Sequence, residues 1–407
     1  MCALTEGTLA IWCQRLATIF FKEGDSPYCQ CMIYILGFII MLYALACLWL
    51  CWQWLCIPES SETALPVPPG FKVSVIIPVR NEAAGIGVLL EDLRQQSLFG
   101  DNFEVIIADD ASNDATADIV LAFKNRTDLN LRLLSLADIP VKSPKKRAIT
   151  EALKVAEGQL IVTTDGDCRV GERWLEQIVQ TYLRTGAKFI SGPVTFLEEQ
   201  TGFQVFQTIE LASLIGTGAC LLEAQHPTMC NGANLAYERA AFEEVGGYTG
   251  VDHIASGDDE FLLQKIHLRF GNRICFLKHR DALVRTQPQE SWRAFYQQRI
   301  RWAGKWAVNR RAATMAVAIF VVLVNGITLI ALAVAIGKEG QNIGINTILI
   351  IKFLPELLFL SLIIRFLGKN RLLAYIPLVQ LFYPFYVLFF GLAAQHKGYE
   401  WKGRRLH

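Results

Sequence analysis

Two aspartates flank a glycine in Thr163–Val170 (TTDGDCRV), directly after the apolar run Gln159–Thr163. Carboxylates this close repel each other unless a cation sits between them. Oxygen ligands of this kind suit a hard divalent ion, Mn2+ or Mg2+, which takes its remaining ligands from water and substrate phosphates. Such an ion would stabilise charge on a departing phosphate. Asp and Gly also make ordinary turns, so DGD gains its meaning from its surroundings.

Three other polar groups share its setting. PVRNEA (Pro78–Ala83) and ADDASNDAT (Ala108–Thr116) each close an apolar run. SGDDEFL (Ser256–Leu262) reads as an acidic helix start, with carboxylates near the positive end of the helix dipole. QQRIRW (Gln297–Trp302) follows. Gln298, Arg301 and Lys305 fall on one helical face at i, i+3 and i+7, and Trp292, Phe295, Tyr296, Ala303 and Trp306 form an apolar stripe. That stripe is expected at a membrane surface. Phe203, Val205, Phe206, Ile209 and Leu214 suggest a second interfacial helix before Cys230.

The elements that must position these groups alternate between strand and helix. Apolar runs at 72–78, 103–108, 131–136 and 160–164 predict buried strands. Helical spacing predicts helices over 84–95, 114–123 and 145–156. This alternation implies an α/β fold with a doubly wound, mostly parallel, Rossmann-like sheet. Ligands of such sheets sit beyond the carboxyl ends of the strands. Asp109, Asp110, Asp165 and Asp167 all fall at that rim.

Taken in order, PVRNEA, ADDASNDAT, DGD, SGDDEFL and QQRIRW resemble the family 2 glycosyltransferases of GT-A fold. Within these the chain is similar to the membrane branch marked by D, DxD, (E/G)DD and QxxRW. That branch includes cellulose, hyaluronan and poly-N-acetylglucosamine synthases and ceramide glucosyltransferases. The resemblance covers about residues 71–306, and Asn231–Tyr248 (NGANLAYERAAFEEVGGY), with Asn231, Gly232 and Asn234, fits it.

The resemblance implies roles. Pro78, Arg80, Asn81 and Glu82 would line the nucleotide, and Asp110 would accept from the uracil ring NH. Lys146 and Arg147 would stand beside the base or diphosphate. Asp165 and Asp167 would hold Mn2+ or Mg2+ on the diphosphate. Asp259 would be the catalytic base in a single inverting displacement, with Asp258 adding like charge beside it. Gln298 and Arg301 would approach acceptor and diphosphate, and Trp302 would wall the acceptor mouth.

The chain has 407 residues, 52% hydrophobic, with formal net charge +1. That balance gives no support for nucleic-acid binding. Apolar excess gathers at the ends. Met32–Leu50 is uncharged and long enough to span a bilayer, with Trp49, Trp52 and Trp54 at its far end as in an aromatic belt. A retained anchor fits it better than a signal peptide, because the run is long and no small-residue cleavage pattern follows. A Pro/Ser/Glu linker occupies 57–70. Closing apolar segments run over 314–336, 343–367 and 372–394. The second carries Lys352 and Glu356 four apart, a spacing that allows pairing on a helix. The 11 cysteines, seven before Pro58, show neither a disulfide framework nor zinc spacing.

The expected protein is therefore an integral membrane enzyme whose catalytic domain faces the cytoplasm, where nucleotide sugars are. Its partners would be a nucleotide sugar (UDP-hexose or UDP-N-acetylhexosamine), a lipid or glycan acceptor, and the membrane. The tail YEWKGRRL (Tyr399–Leu406) resembles endings of lipid glycosyltransferases and favours a lipid acceptor over a polysaccharide. Lys397, Lys402, Arg404 and Arg405 place that tail inside, which makes 343–367 or 372–394 re-entrant or interfacial. Two non-enzymatic readings compete. A phosphoacceptor receiver domain would explain Asp109-Asp110 but neither DGD nor QQRIRW. A transporter would leave the soluble domain without purpose.

Overall fold

The computed structural model describes residues 27–59, 64–98, 102–139, 141–308, 312–337, 343–393, 399–401 and 404–406. Part of the expected linker, and Lys397 and Lys402 of the expected tail, lie outside the described residues. The chain divides into two compact units. The larger comprises 52–310, 362–373 and 394–407, and the smaller 1–51, 311–361 and 374–393.

The larger unit is built on β1 (Val73–Val79), β2 (Phe103–Asp109), β3 (Leu131–Ser135) and β4 (Leu160–Thr163), the four strands expected from the sequence. The apolar runs of β1, β2 and β4 are buried along almost their whole length, as strands covered on both faces require, whereas β3, expected to be buried, lies at the sheet edge and buries only Leu131. They pair in parallel in the order β3-β2-β1-β4. Helices α2 (Ile86–Arg94), α3 (Thr116–Lys124) and α4 (Pro144–Val155) connect them. Beyond β4 the sheet continues through antiparallel β7 (Leu235–Glu238) to β5 (Phe189–Ser191) and β8 (Ile274–Phe276). The sequence reading assigned none of these last three, which are three or four residues long and, unlike β4, not followed by an acidic turn that marks a strand end.

A second ribbon, β6 (Val194–Phe196) with β9 (Val284–Thr286), lies in the same unit. It is tied to the sheet by Asn234, which is buried ahead of β7. The Asn234 amide donates to Pro193 O and Ala282 O, both at 2.8 Å, and accepts from Trp174 Nε1 at 3.0 Å. Trp174 opens α5 (Trp174–Thr185), so one side chain joins ribbon, helix and sheet.

α6 (Gly202–Glu223) is long and apolar enough to cross a membrane, yet 72% of its apolar window is buried inside the protein. The second interfacial helix expected here is an internal one. Gln207, Thr208 and Glu210 are buried on it, and each is hydrogen-bonded or ion-paired within the unit. α7 (Arg239–Glu244), α8 (Asp258–Phe270) and α9 (Trp292–Val308) complete the larger unit's helices among the described residues. The tail pairs Tyr399–Trp401 with Arg404–Leu406 and belongs to this unit.

The smaller unit is helical. It draws on α1 (Pro27–Cys56), α10 (Ala312–Gly337), α11 (Ile343–Phe366) and α12 (Ile376–Ala393), each apolar enough to cross a membrane. Ile40, Val324, Ile327 and Ile348 pack at its centre, while Phe38, Ile319, Leu354 and Phe382 face outward. The pairing expected from the Lys352–Glu356 spacing is present at 2.9 Å, with Lys352 fully buried. Glu356 also accepts from Tyr43 Oη and, at 3.0 Å, from Gln380 Nε2. One carboxylate thus gathers side chains from three helices.

Two stability measurements follow from these nodes. Asn234→Ala strands two carbonyls and an indole N–H, at a cost on the order of 3 kcal/mol. Its thermal midpoint should fall while activity per folded molecule is kept. Glu356→Ala leaves a buried ammonium unpaired and should cost about 3 kcal/mol in detergent. Lys352→Met with Glu356→Leu should recover most of that loss. A double variant no more stable than Glu356→Ala would exclude the pair as the source.

Candidate active site

A cavity of about 630 Å3 opens at the carboxyl ends of β1, β2 and β4, where a doubly wound sheet offers its crevice. Pro78, Arg80, Glu82, Asp110, Asp165, Asp167, Asn231, Gly232, Asp258, Asp259, Gln298, Arg301 and Trp302 all line it. Motifs far apart in sequence are therefore brought to one space. Of the other expected site residues, Asn81 and Arg147 support the wall from behind, and Lys146 and Asn234 do structural work elsewhere.

At the β1–β2 rim, Asp110 is buried with Arg80 Nη1 at 4.0 Å and Arg147 Nη1 at 3.5 Å. Arg80 also donates to the carbonyls of Asp110 and Ala111. Asn81 stands at φ 54° and staples this loop to the next. Its N–H donates to Ser112 Oγ at 2.9 Å, and its Oδ1 accepts from Asn113 N–H at 3.0 Å. The rim thus presents one carboxylate flanked by two guanidiniums, a geometry suited to a polar ring with adjacent donors and acceptors.

The DGD turn follows β4. A Cβ on Gly166 would stand 2.9 Å from Val79 Cγ1 and 3.0 Å from Glu82 Cγ, so glycine lets the turn lie against the end of β1. Asp165 receives Lys145 Nζ at 2.7 Å, and Asp167 Oδ2 accepts from Thr286 Oγ1 at 3.2 Å. Cys168 is buried behind the turn, and burial pushes its thiol well above the ordinary range.

Lys145 is the residue that sequence reasoning missed. The lysine assigned to the nucleotide was its neighbour Lys146, but the structure turns that side chain into the protein. Lys146 Nζ donates to Val251 O and Ile254 O at 2.8 Å and to Ser256 O at 3.0 Å. Together with Ser143, which donates to Ile254 O, it holds the loop that delivers Asp258 and Asp259. Lys145, one residue earlier at the start of α4, faces the cavity and bridges Asp165 at 2.7 Å and Asp258 at 3.2 Å. Burial alone would depress its ammonium, but Asp165 and Asp258 hold it above the usual lysine range. The 100° step between adjacent helical residues separates these roles, and residue type alone could not assign them.

Asp258 and Asp259 open α8 after Gly257, which takes φ 81°. Asp259 is buried, and its carboxylate accepts from Gly232 N–H at 3.1 Å and Glu260 N–H at 2.8 Å. A Cβ on Gly232 would lie 3.1 Å from Lys145 Nζ and 3.2 Å from Asp258 Oδ2, so the backbone there approaches the charged cluster closely.

The fourth wall is α9. Ala294, Gln297, Gln298, Arg301 and Trp302 line the cavity from it, and Gln287, Gln289 and Ser291 from the preceding loop. The expected apolar stripe is only partly a surface. Trp292 is exposed, but Phe295 is fully buried against Phe203, with ring centroids at 5.3 Å. The side chains of Ala303, Lys305 and Trp306 lie outside the described residues.

Residues 74–246 match the model of glycosyl transferase family 2. Glycosyltransferase AglE of Haloferax volcanii is 29% identical over 192 residues, 46% of this chain and 58% of that protein. Poly-beta-1,6-N-acetyl-D-glucosamine synthase of Staphylococcus epidermidis is 27% identical over 207 residues, 49% of this chain and 46% of the synthase. The chain thus spans roughly half the length of these curated relatives. A mannosyltransferase from Pyrobaculum calidifontis, solved with GDP-Man and Mn2+, superposes with TM-score 0.53 at 20% identity, covering 85% of this chain and 98% of that one. At that identity the likeness is one of fold. Motif order, sheet topology and sequence match agree on a likeness to glycosyl transferase family 2 over residues 74–246.

Proposed function

We propose that this protein is a membrane-bound, inverting glycosyltransferase that moves a sugar from a nucleotide-sugar donor to a hydroxyl of a membrane lipid. The observation that carries the reading is the single ammonium of Lys145 spanning Asp165 and Asp258. The carboxylates suited to a donor diphosphate and those suited to an acceptor proton are within reach of one side chain.

Asp110, between Arg80 and Arg147, would take the ring NH of the base, with Pro78 and Glu82 beside it. Asp165 and Asp167 fit a hard divalent ion. They are hard oxygen donors lining an open cavity, and no group of three His, Cys, Asp or Glu ligands occurs among the described residues. An ion with so few protein ligands completes its shell from diphosphate and water. Mn2+ or Mg2+ bound there would offset charge on the leaving diphosphate.

The chain's own groups do the rest. Asp259, its rotamer fixed by two backbone N–H groups, takes the proton of the acceptor hydroxyl. The hydroxyl oxygen attacks the anomeric carbon as the bond to the diphosphate breaks, which inverts the configuration. Arg301 meets the negative charge that gathers on the leaving group. Gln298 and Trp302 shape the acceptor side, and Asn231 and Gly232 carry the backbone that orients Asp259.

The lipid reading rests on the C-terminal tail, which belongs to the same unit as the catalytic sheet. Similarity to a poly-N-acetylglucosamine synthase favours a second reading, a processive β-linked polymer synthase.

A panel of radiolabelled UDP- and GDP-sugars on purified membranes separates the two. Label passing into chloroform–methanol supports the lipid acceptor, and label held at the origin as glycosidase-sensitive polymer supports the synthase. Asp259→Asn should lower either transfer by about 10^3-fold. Full transfer by that variant would remove Asp259 from the mechanism. Chelation should abolish transfer, and Asp167→Asn should raise the Mn2+ concentration needed for half-maximal rate.

A further inference from the structure

α6 is buried, apolar and outside the sequence motifs, yet the polar side chains of one of its turns hold the acceptor side of the cavity. Glu210 forms a buried ion pair with Arg299, each about nineteen-twentieths buried or more. Arg299 is the second residue of the Gln298–Trp302 motif, and its side chain does not line the cavity. It works on those that do. Its Nη1 donates to Gln298 Oε1 at 2.8 Å, and its guanidinium lies 4.2 Å from the Trp302 ring centroid and 4.4 Å from that of Phe295. A planar cation clasped between two rings and fixed by a carboxylate sets the position of both.

Gln207, one turn earlier on α6 and fully buried, acts on the adjoining loop. Its amide donates to Gln289 O at 2.9 Å and accepts from Gln289 N–H at 2.9 Å. The same face reaches the cavity through Leu211.

We infer that Glu210, through Arg299, is a positioning residue that sets Gln298 and Trp302 as the acceptor wall, with Gln207 holding loop 287–291 in register. The inference rests on the glycosyl-transfer reading of this cavity. A wall held in place favours the acceptor hydroxyl over water at the anomeric carbon. A loosened wall admits water, so nucleotide sugar is spent on hydrolysis. The ratio of transfer to hydrolysis belongs to each folded molecule and does not depend on how many are folded. It therefore separates positioning from mere stability.

The test uses the full chain in its membranes with tritiated UDP-N-acetylglucosamine, UDP-glucose and GDP-mannose. Label in lipid or polymer is counted against free sugar. Glu210→Gln and Arg299→Lys should each lower the transfer-to-hydrolysis ratio about tenfold. The pair Glu210→Leu with Arg299→Met replaces both charges by apolar groups of similar size and should recover thermal stability. Its ratio should stay low, because the clasp on Trp302 is gone. A ratio unchanged in the single variants, with total turnover falling only as the folded fraction falls, would overturn the inference. So would a double variant that recovers stability and ratio together. Absence of both products from wild type with all three donors would instead count against the glycosyl-transfer reading itself.

Discussion

Mutual repulsion among carboxylates is the constraint around which this molecule is arranged. Asp110, Asp165, Asp167, Asp258 and Asp259 converge on one cavity from two strand ends and a helix start. Gathered without compensation they would drive their elements apart, since like charges in a partly dry site are screened poorly. The fold answers with cations of different kinds at different places. Arg80 and Arg147 flank Asp110 from loop and helix. Lys145 stands between Asp165 and Asp258. Thr286 and the Gly232 and Glu260 amides supply neutral donors to Asp167 and Asp259. The compensation is local and leaves carboxylate oxygens facing the cavity, where a charged donor can rearrange it.

The backbone must therefore bring chain segments very close together. Gly166 lets the DGD turn lie against β1, and Gly232 lets a loop pass within contact of Lys145 and Asp258. Lys146 holds the loop 251–256 by three carbonyls, and this fixes where α8 begins. Adjacent lysines at the head of α4 thus divide the work, one neutralising the site and one building it. An exchange of their roles would leave the cluster uncompensated and the loop untied.

Much of this was legible in sequence because the physics was local. Apolar runs gave the four parallel strands, rich in Val and Ile in β1, β2 and β4 and in Leu in β3, and the ends of β2 and β4 gave the rim where the acidic residues meet. The cavity gathers residues from every motif singled out. What was not legible depended on direction. Lys145 and Lys146 differ only in azimuth on a helix. Asn234 looked like a site residue within NGAN, and only the packing of Trp174 and the β6–β9 ribbon shows that its amide is consumed in the core. β5, β7 and β8 are as short as β4 or shorter, lack the acidic turn that marks its end, and exist because a preformed sheet edge offers them partners.

The deeper ambiguity lies in apolar helices. α6 and α11 both exceed the length and hydropathy a bilayer crossing needs, and both bury charge. In α11, Lys352 pairs with Glu356 four residues on, within its own helix, and the helix can carry that pair into any low-dielectric surroundings as a net-neutral unit. In α6, Gln207 and Glu210 find their partners in a loop and helix roughly eighty to ninety residues away. Their polarity can be satisfied only after the catalytic unit has folded around them. Hydropathy averages treat the two cases alike. What separates them is where the remaining partners come from: Glu356 of α11 is completed by Tyr43 and Gln380 of other apolar helices, whereas Gln207 and Glu210 of α6 are completed by the loop and helix that line the cavity.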